Sequence, residues 1–271
     1  MNIYKSTDLA SEARSLWENS PERSRELSGV TAEEELIAGF RVETVTISDE
    51  YSAGQLGKPA GRYVSVFTED CFEAGRTKDC AEVIAKLLFR LAAVEKRGSV
   101  LVAGLGNPEV LCDSLGPLVL DGVIVTRHLK TEEPQKFARF RSISALRTGV
   151  LGMSGIDTSE IIGAVLDCVK PDLLIVIDAL AACAPERICN SIQLTDTGLV
   201  PGSGSSKARE ALTPAKLGLP VTAIGVPTLQ STAAGGEGFI LTRKDIDSKI
   251  RGYAKLIAEG VNFSLLGFRE S

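Results

Sequence analysis

The chain has few of the residues on which the commonest enzyme mechanisms depend. Its 271 residues include one histidine, His128, so a catalytic triad or a histidine metal site would have to use that side chain. The six cysteines include no Cys-x-x-Cys pair, a pattern typical of reduced, packed thiols rather than of a zinc site or a redox motif. We therefore expect no metal ion and no cofactor.

Long apolar runs and positive charge are also scarce. No segment is apolar over the roughly 20 residues that a membrane span needs, and the stretch after Met1 lacks the apolar core of a secretory signal. The formal net charge is −5 and the sequence pI is about 5.2, which argues against a generally basic surface for nucleic acid. We expect a cytoplasmic protein whose partners are neither membranes nor nucleic acids.

Strand and helix patterns alternate along the chain. The continuous apolar runs at 99–104 and 171–182 are typical of parallel strands that are covered on both faces. Residues 79–96 and 243–262 carry apolar side chains at helical spacing, and residues 115–129 predict one further helix. The alternation predicts an α/β fold, a three-layer α/β/α sandwich with a mostly parallel central sheet.

Two earlier segments, 39–48 and 61–68, are rich in β-branched and aromatic residues and predict two strands. These strands would form a small N-terminal β subdomain or an edge of the main sheet. With 44% hydrophobic residues the chain can bury one large core. We therefore treat 1–271 as a single domain whose catalytic core lies within 99–228.

Two aspartates lie where predicted strands end. Asp113 is in the loop after the strand at 99–104, and Asp178 comes directly after the run 173–177. Ligands of open α/β sheets sit outside the carboxyl ends of the strands, so both carboxylates would face one crevice if the strands are neighbours. Nearby carboxylates repel one another, so one keeps its proton while the other ionises. Such a pair can activate water as a base and protonate a leaving amine as an acid.

Simpler interpretations of both aspartates stay open at this point. Asp113 also fits a cap of the helix that follows it. Asp178 also fits a turn residue at the end of a strand. Each simple interpretation is attractive alone, and it is the occurrence of two aspartates at two strand ends that favours catalysis.

Several neighbours of these strand ends are candidates for binding substrate. Gly104 and Gly106 would let backbone or substrate approach closely. Asn107 would hold a substrate carbonyl or orient Asp113, unless it serves only the turn. Ser203 and Gly204 lie in a glycine-rich loop whose N–H groups suit the binding of a substrate backbone.

Three further residues are candidates for chemistry but have simpler explanations. His128 is predicted at the end of a helix, where a structural role is typical. Cys112 stands next to Asp113 without an evident base, so we interpret it as a small packed thiol. Asp196 opens an Asp-Thr-Gly triplet like that of pepsin-like proteases, but the triplet occurs once, so we interpret it as a turn after a strand.

An ordered series of short motifs resembles the germination protease family of spore-forming bacteria, whose members degrade small acid-soluble spore proteins. The matching segments occur in family order between residues 7 and 228 and are TDLASEA, KPAGRYV, GLGN with DSLGP, VTRHL, GMSGIDTSEIIGAV, KPDLLIVIDALAA, SIQLTDTG, PGSG and PVTAIGVPT. The resemblance implies an aspartic-type endopeptidase with the core fold of hydrogenase-maturation peptidases. Its two catalytic aspartates fall on Asp113 and Asp178.

The resemblance also implies processing, partners and a location. Family members are made as inactive precursors that remove their own N-terminal segment near the motif TDLA. We therefore predict self-cleavage at or near the bond between Asp8 and Leu9, with 1–8 as the propeptide. Small acid-soluble spore proteins would be the substrates, in the cytoplasm of the forespore or the spore core, and the family implies a homo-oligomer, a tetramer.

Two other functions compete with the protease. Peptidyl-tRNA hydrolase shares the motifs GLGNP and TRH, but it carries the first at its start, whereas here that motif begins at residue 104. That enzyme also needs a basic face for tRNA. A catalytically inactive relative that binds a partner is the other alternative, because the sequence departs from the family pattern at 111–112, 206–207 and 230–232.

Overall fold

The computed structural model describes residues 6–20, 27–68, 71–92, 98–201, 210–231 and 240–267. Its strands are β1 (Val30–Ile37), β2 (Phe40–Ile47), β3 (Gly61–Phe67), β4 (Val100–Leu105), β5 (Ile143–Gly149), β6 (Leu173–Ala182), β7 (Ser191–Thr195), β8 (Val221–Ser231) and β9 (Ile240–Leu241). Its helices are α1 (Ala10–Glu18), α2 (Glu50–Leu56), α3 (Thr77–Leu91), α4 (Leu115–Gly122), α5 (Arg127–Glu132), α6 (Pro134–Phe137), α7 (Leu151–Ser154), α8 (Thr158–Val169), α9 (Pro214–Leu217) and α10 (Ile246–Leu266).

These strands form one mixed sheet in the order β1, β2, β3, β7, β8, β6, β4, β5, and the short β9 pairs with β8. The strands β8, β6, β4 and β5 run parallel to one another, whereas β7, β3, β2 and β1 extend one side in antiparallel pairing. The predicted α/β class with a parallel centre is confirmed. The early strands β2 and β3 join the main sheet through β7 and therefore form an edge of it.

Helices cover both faces of the sheet, which confirms the three-layer sandwich. On the face that we call the α10 face, α3, α4 and α10 bury apolar side chains such as Val119 and Tyr253 against the strands. On the opposite face, the α8 face, α8 packs through Ile162, and α1 packs over β2 and β3 through Trp17. Because β6 is covered on both faces, it is apolar along its whole length except at Asp178.

The single helix predicted over 115–129 is wrong, because the chain leaves helical geometry after Gly122. Val123 is extended, with φ −75° and ψ 127°. Asn262 of α10 fixes this break: its Nδ2 donates to the Gly122 carbonyl at 2.9 Å, and its Oδ1 accepts from the N–H of Ile124 at 2.9 Å. A second helix, α5, then begins at Arg127.

In the part of the chain that the structure describes, no helix combines the length and the apolar character that a membrane crossing requires. The longest of these helices, α10, instead packs one side on the sheet and keeps charged residues such as Asp247 and Arg251 exposed.

Candidate active site

The loop after β4 is built on close backbone contacts. A Cβ atom at Gly104 would lie 2.4 Å from the carbonyl oxygen of Gly116, near the start of α4. Gly106 has φ +107°, and a Cβ atom there would lie 2.0 Å from the carbonyl oxygen of Asp113. Only glycine adopts such geometry readily. The loop can therefore fold back and bring Asp113 to the end of β4.

Asp113 ends a 3₁₀ turn at Leu111–Asp113. Its Oδ2 accepts a hydrogen bond from the backbone N–H of Asn107 at 2.8 Å. The Asn107 side chain has a different partner, since its Oδ1 accepts from the N–H of Glu109 at 2.9 Å and closes a turn. Asn107 thus shapes the turn with its side chain and orients the Asp113 carboxylate with its backbone.

Strand β8 holds the same turn from the other side. The hydroxyl of Thr228, which is fully buried, donates to the carbonyl of Cys112 at 2.5 Å. Burial raises the pKa of the Cys112 thiol, and the adjacent Asp113 carboxylate raises it further. Because the thiolate is the reactive form, a raised pKa fits the packed thiol that the sequence predicted rather than a nucleophile.

Asp178 is the one charged residue of β6 and only 5% of it is exposed. Its Oδ1 accepts a hydrogen bond from the N–H of Ala179 at 2.9 Å. In the parallel pairing of β4 with β6, Gly104 lies opposite Ile177, so Asp178 comes one residue further along, beside the end of β4.

Asp113 therefore lies in the turn after β4, and Asp178 lies beside the end of β4 on the adjacent parallel strand. The prediction that a strand ends at Asp178 is wrong, because β6 continues to Ala182 in register with β8. Neighbouring strands are about 4.8 Å apart. The Asp113 carboxylate is held at the end of β4 by Asn107, and the turn that carries it contacts both β6 and β8. Side chains alternate along a strand, which places Asp178 on the α8 face together with Leu174 and Val176.

Asp8 and Leu9 lie along the end of β6. The N–H of Asp8 donates to the carbonyl of Ala181 at 2.8 Å, and the N–H of Ala181 donates to Oδ2 of Asp8 at 2.7 Å. The side chain of Leu9 is fully buried against Leu180 and Ala182. Both of these strand residues share the α8 face with Asp178, because residues two apart in a strand point to the same side. The two residues predicted for processing thus lie at the same end and on the same face of the sheet as Asp178.

Two residues that the sequence analysis missed hold this segment. Gln193 of β7 donates from Nε2 to the carbonyl of Asp8 at 3.1 Å and accepts at Oε1 from the N–H of Ala10 at 2.9 Å. Lys58 donates from Nζ to the carbonyl of Thr7 at 2.5 Å. Both stand in motifs that carry the family resemblance, but nothing in their residue types marks them as contacts of a distant segment.

A third missed residue, Glu12 of α1, ties the segment to the loop after β6. Its carboxylate accepts from the N–H groups of Cys183 at 2.9 Å and Ala184 at 2.7 Å, and it also bonds the hydroxyl of Thr7. Only 3% of the residue is exposed, so these donors supply the hydrogen bonds that its buried oxygens lose from water.

The electrostatics of this region reflect its burial. Burial lowers the pKa of the Lys58 ammonium, while the nearby Asp8, Cys183 and Glu12 act in the opposite direction. Burial, and then the Glu12 carboxylate, raise the pKa of the Cys183 thiol to about 11.

The remaining predicted residues lie elsewhere. Ser203 and Gly204 are outside the described residues. His128 is exposed on α5 rather than at the end of a longer helix. Asp196 accepts a hydrogen bond from the N–H of Arg62 and forms an ion pair with its guanidinium at 2.8 Å, which fits the turn interpretation. Within the described ranges, no three His, Cys, Asp or Glu side chains are grouped as metal ligands.

These features define an α/β protein in which two carboxylates, and side chains that bind a peptide backbone, lie near one end of the parallel strands. Residues 6–234 match the family described as germination protease. The chain is 44% identical over 226 residues to the germination protease of Caldanaerobacter subterraneus subsp. tengcongensis, a match that covers 82% of this chain and 68% of that protein. It is 36% identical over 260 residues to the germination protease of Bacillus cereus, with 94% of this chain and 69% of that protein covered. The chain belongs to the germination protease family, and it is a peptidase of spore germination.

Among solved structures, that of the [NiFe] hydrogenase maturation protease HycI from Thermococcus kodakarensis KOD1 is similar to this chain. The TM-score is 0.38 and the sequence identity 19%, over 65% of this chain and 99% of that one.

Proposed function

We propose that the protein is an endopeptidase that degrades small acid-soluble spore proteins and that Asp113 and Asp178 activate the attacking water. The observation that carries this proposal is the position of both residues near the end of β4. Asp113 lies in the turn after β4, and Asp178 lies on the adjacent parallel strand β6, one residue beyond the partner of Gly104. The family membership supports the setting, which is proteolysis during spore germination.

The proposed chemistry needs one proton shared between the two carboxyl groups. The ionised aspartate takes a proton from water while the water oxygen attacks the carbonyl carbon of the peptide bond. The protonated aspartate then gives its proton to the leaving nitrogen, the C–N bond breaks, and the carbonyl bond forms again. Each carboxylate accepts a hydrogen bond from a backbone N–H, Asp113 from Asn107 and Asp178 from Ala179, so both are oriented before substrate arrives.

We further propose that the protein is made as a precursor that cleaves its own chain between Asp8 and Leu9. In support, this bond lies beside the last residues of β6, beyond Asp178, and the backbone on either side of it is held by hydrogen bonds. Asp8, the last residue of the segment that would be removed, lies against Ala181, three residues beyond Asp178 on β6. We propose that it hinders the access of other substrates until the bond is cut.

The family match favours a protease over the peptidyl-tRNA hydrolase alternative. A spore-protein substrate places the enzyme in the cytoplasm of the forespore or the spore core. We propose a homotetramer on the ground of the family resemblance, and the mass of the particle in sedimentation equilibrium tests that part independently.

The function is tested by incubating the purified protein with a small acid-soluble spore protein and identifying the fragments by mass spectrometry. We expect cuts between an acidic and an apolar residue, and loss of residues 1–8 from the protein itself at mildly acidic pH. Peptidyl-tRNA, offered in parallel, should stay intact. Release of tRNA would support the hydrolase instead, and an inert protein, even after residues 1–8 are removed by an engineered protease site, would support the inactive relative.

A further inference from the structure

The amide of Gln193 contacts the peptide bond that is proposed for self-cleavage. Its Nε2 donates to the carbonyl oxygen of Asp8, which is the carbonyl of the bond between Asp8 and Leu9, at 3.1 Å. Its Oε1 accepts from the N–H of Ala10 at 2.9 Å. Turning the amide over would place its NH₂ group against the N–H of Ala10 and its oxygen against the carbonyl of Asp8, so these two partners fix its orientation.

Gln193 is buried and lies in one row with Asp178. In the sheet register, both Gln193 of β7 and Asp178 of β6 pair with Gly225 of β8, and only 5% of each residue is exposed. Their neighbours Ile192 and Leu194 on β7, and Ile177 on β6, point to the α10 face, so both polar side chains point to the α8 face. Two strand spacings put their Cα atoms about 10 Å apart. The side chain of Leu180 lies over Gly225 between them and packs against Leu9, the residue that follows the bond proposed for cleavage.

The rest of the segment is fixed around that carbonyl. Ala181 bonds both the N–H and the carboxylate of Asp8, and the Leu9 side chain is buried against Leu180 and Ala182. An acidic residue followed by an apolar residue is therefore held with its connecting carbonyl facing the amide of Gln193.

We propose that Gln193 is the residue that stabilises the oxyanion during cleavage of the bond between Asp8 and Leu9. The inference rests on the proposed function of Asp113 and Asp178. When water adds to the carbonyl carbon, the C=O π electrons move onto the oxygen, one water proton goes to the ionised aspartate, and Nε2–H of Gln193 bonds the oxygen that becomes negative. When the C–N bond breaks, the electrons return to form the carbonyl and the other aspartate protonates the leaving nitrogen. A donor that is already in place at the developing charge typically contributes roughly 10²–10³-fold to kcat.

The test uses Gln193→Glu, which keeps an acceptor for the N–H of Ala10 but replaces the donor toward the Asp8 carbonyl. We measure self-cleavage by mass spectrometry and the kcat and KM on a spore protein. We expect kcat and the self-cleavage rate to fall roughly 10²–10³-fold with KM changed only a few-fold. As the pH falls toward about 4.3, the carboxyl group of the variant gains an O–H donor, so the ratio of variant to wild-type rate should rise. A residue that only supports the fold would show no such rise.

The matched control is Gln230→Glu. Gln230 also donates from Nε2 to a backbone carbonyl, that of Cys183, at 2.5 Å, but it does not contact the bond between Asp8 and Leu9. We expect this variant to keep the wild-type kcat. If Gln193→Glu does not fold, Gln193→Met serves in its place. Its side chain has no donor and only a weakly accepting sulfur, so it should show the loss of kcat without the rise at low pH.

The outcomes separate this inference from the proposed function. A Gln193→Glu protein with the wild-type kcat, or with only KM raised, would overturn the oxyanion role and leave the two aspartates in place. A wild-type protein that cuts neither itself nor a spore protein would overturn the proposed function and the role of Gln193 with it.

Discussion

Replacing Gly116 by alanine tests how α4 positions the turn that carries Asp113 relative to β6. Gly116 lies in the first turn of α4, where the helix approaches the end of β4 at Leu105 and the middle of β6 at Ile177. A Cβ atom there would lie 2.3 Å from the carbonyl oxygen and 2.4 Å from the nitrogen of Leu105, and 2.6 Å from the carbonyl oxygen of Ile177. All three are backbone atoms, so no side chain can rotate away to make room.

The size of the effect follows from these distances. Reaching even a tight contact of about 3.0 Å requires the backbone elements to separate by about 0.7 Å. Overpacking of this kind costs about 1–3 kcal/mol of unfolding free energy, which corresponds to a fall of roughly 2–12 °C in Tm for a domain of this size. The shift also moves Asp113, three residues before Gly116, relative to Asp178. A displacement near 1 Å can cost roughly 10²-fold in rate.

The assay combines thermal unfolding with kcat on a spore protein. The matched control is Gly163→Ala, because Gly163 lies inside α8 and a Cβ atom there meets nothing within 4 Å. That control should gain about 0.5–1 kcal/mol from helix propensity and keep its kcat. If Gly116→Ala unfolds at the wild-type temperature with the wild-type kcat, the close approach of α4 does not position Asp113 relative to Asp178.

Two further predictions concern groups away from Gln193. The N–H and hydroxyl of Ser99 both donate to the Asp172 carboxylate and hold the pKa of Asp172 below its usual value. These hydrogen bonds therefore stabilise the folded protein above the unfolded pKa of about 3.9, and that stabilisation is lost as the pH falls through the folded pKa. Asp172→Ala should lower stability by about 1 kcal/mol at pH 7, measured by urea unfolding, and a difference from wild type that is as large at pH 2 as at pH 7 would contradict this. Cys112, whose thiol pKa is raised by burial, should react with iodoacetamide at pH 8 more slowly than the exposed Cys168, and Cys112→Ser should keep full activity; loss of cleavage in that variant would restore the thiol as a candidate nucleophile.

The parallel centre of the fold could be predicted because its signals are local. The runs at 99–104 and 171–182 are apolar on both faces, and such runs form buried parallel strands. Strand β1 gave no such signal, since it contains Glu33, Glu34 and Glu35 and lies exposed at the sheet edge. Charged residues on edge strands discourage pairing with other chains. The same charges interrupt the alternation of apolar and polar residues by which a strand is predicted.

The end of α4 could not be predicted for a different reason. The sequence 115–129 keeps apolar residues at helical spacing past Gly122, and the break is fixed by Asn262, which lies 140 residues further along the chain. Contacts of this kind depend on how distant elements pack, and periodicity carries no information on that.

The residues of the candidate site also fall into those that could be predicted from local sequence and those that depend on distant contacts. Asp113 could be found because the end of β4 is visible in the sequence and α/β proteins bind ligands beyond strand ends. Asp178 was chosen by the same rule, but β6 continues past it to Ala182, and its place beside the end of β4 comes from the register of the two strands. Gln193 could not, because its role depends on a partner, Asp8, that is 185 residues away. Lys58 meets Thr7 across 51 residues and was missed for the same reason.

The most direct test of the central claim compares kcat for Asp113→Asn, Asp178→Asn and the double variant on one spore protein, with folding checked by circular dichroism. If the two carboxyl groups share one proton and act as a unit, each single variant should lose roughly as much activity as the double variant, about 10²–10⁴-fold or more. A single variant that keeps the wild-type kcat, or two losses that multiply in the double variant, would contradict a shared catalytic pair.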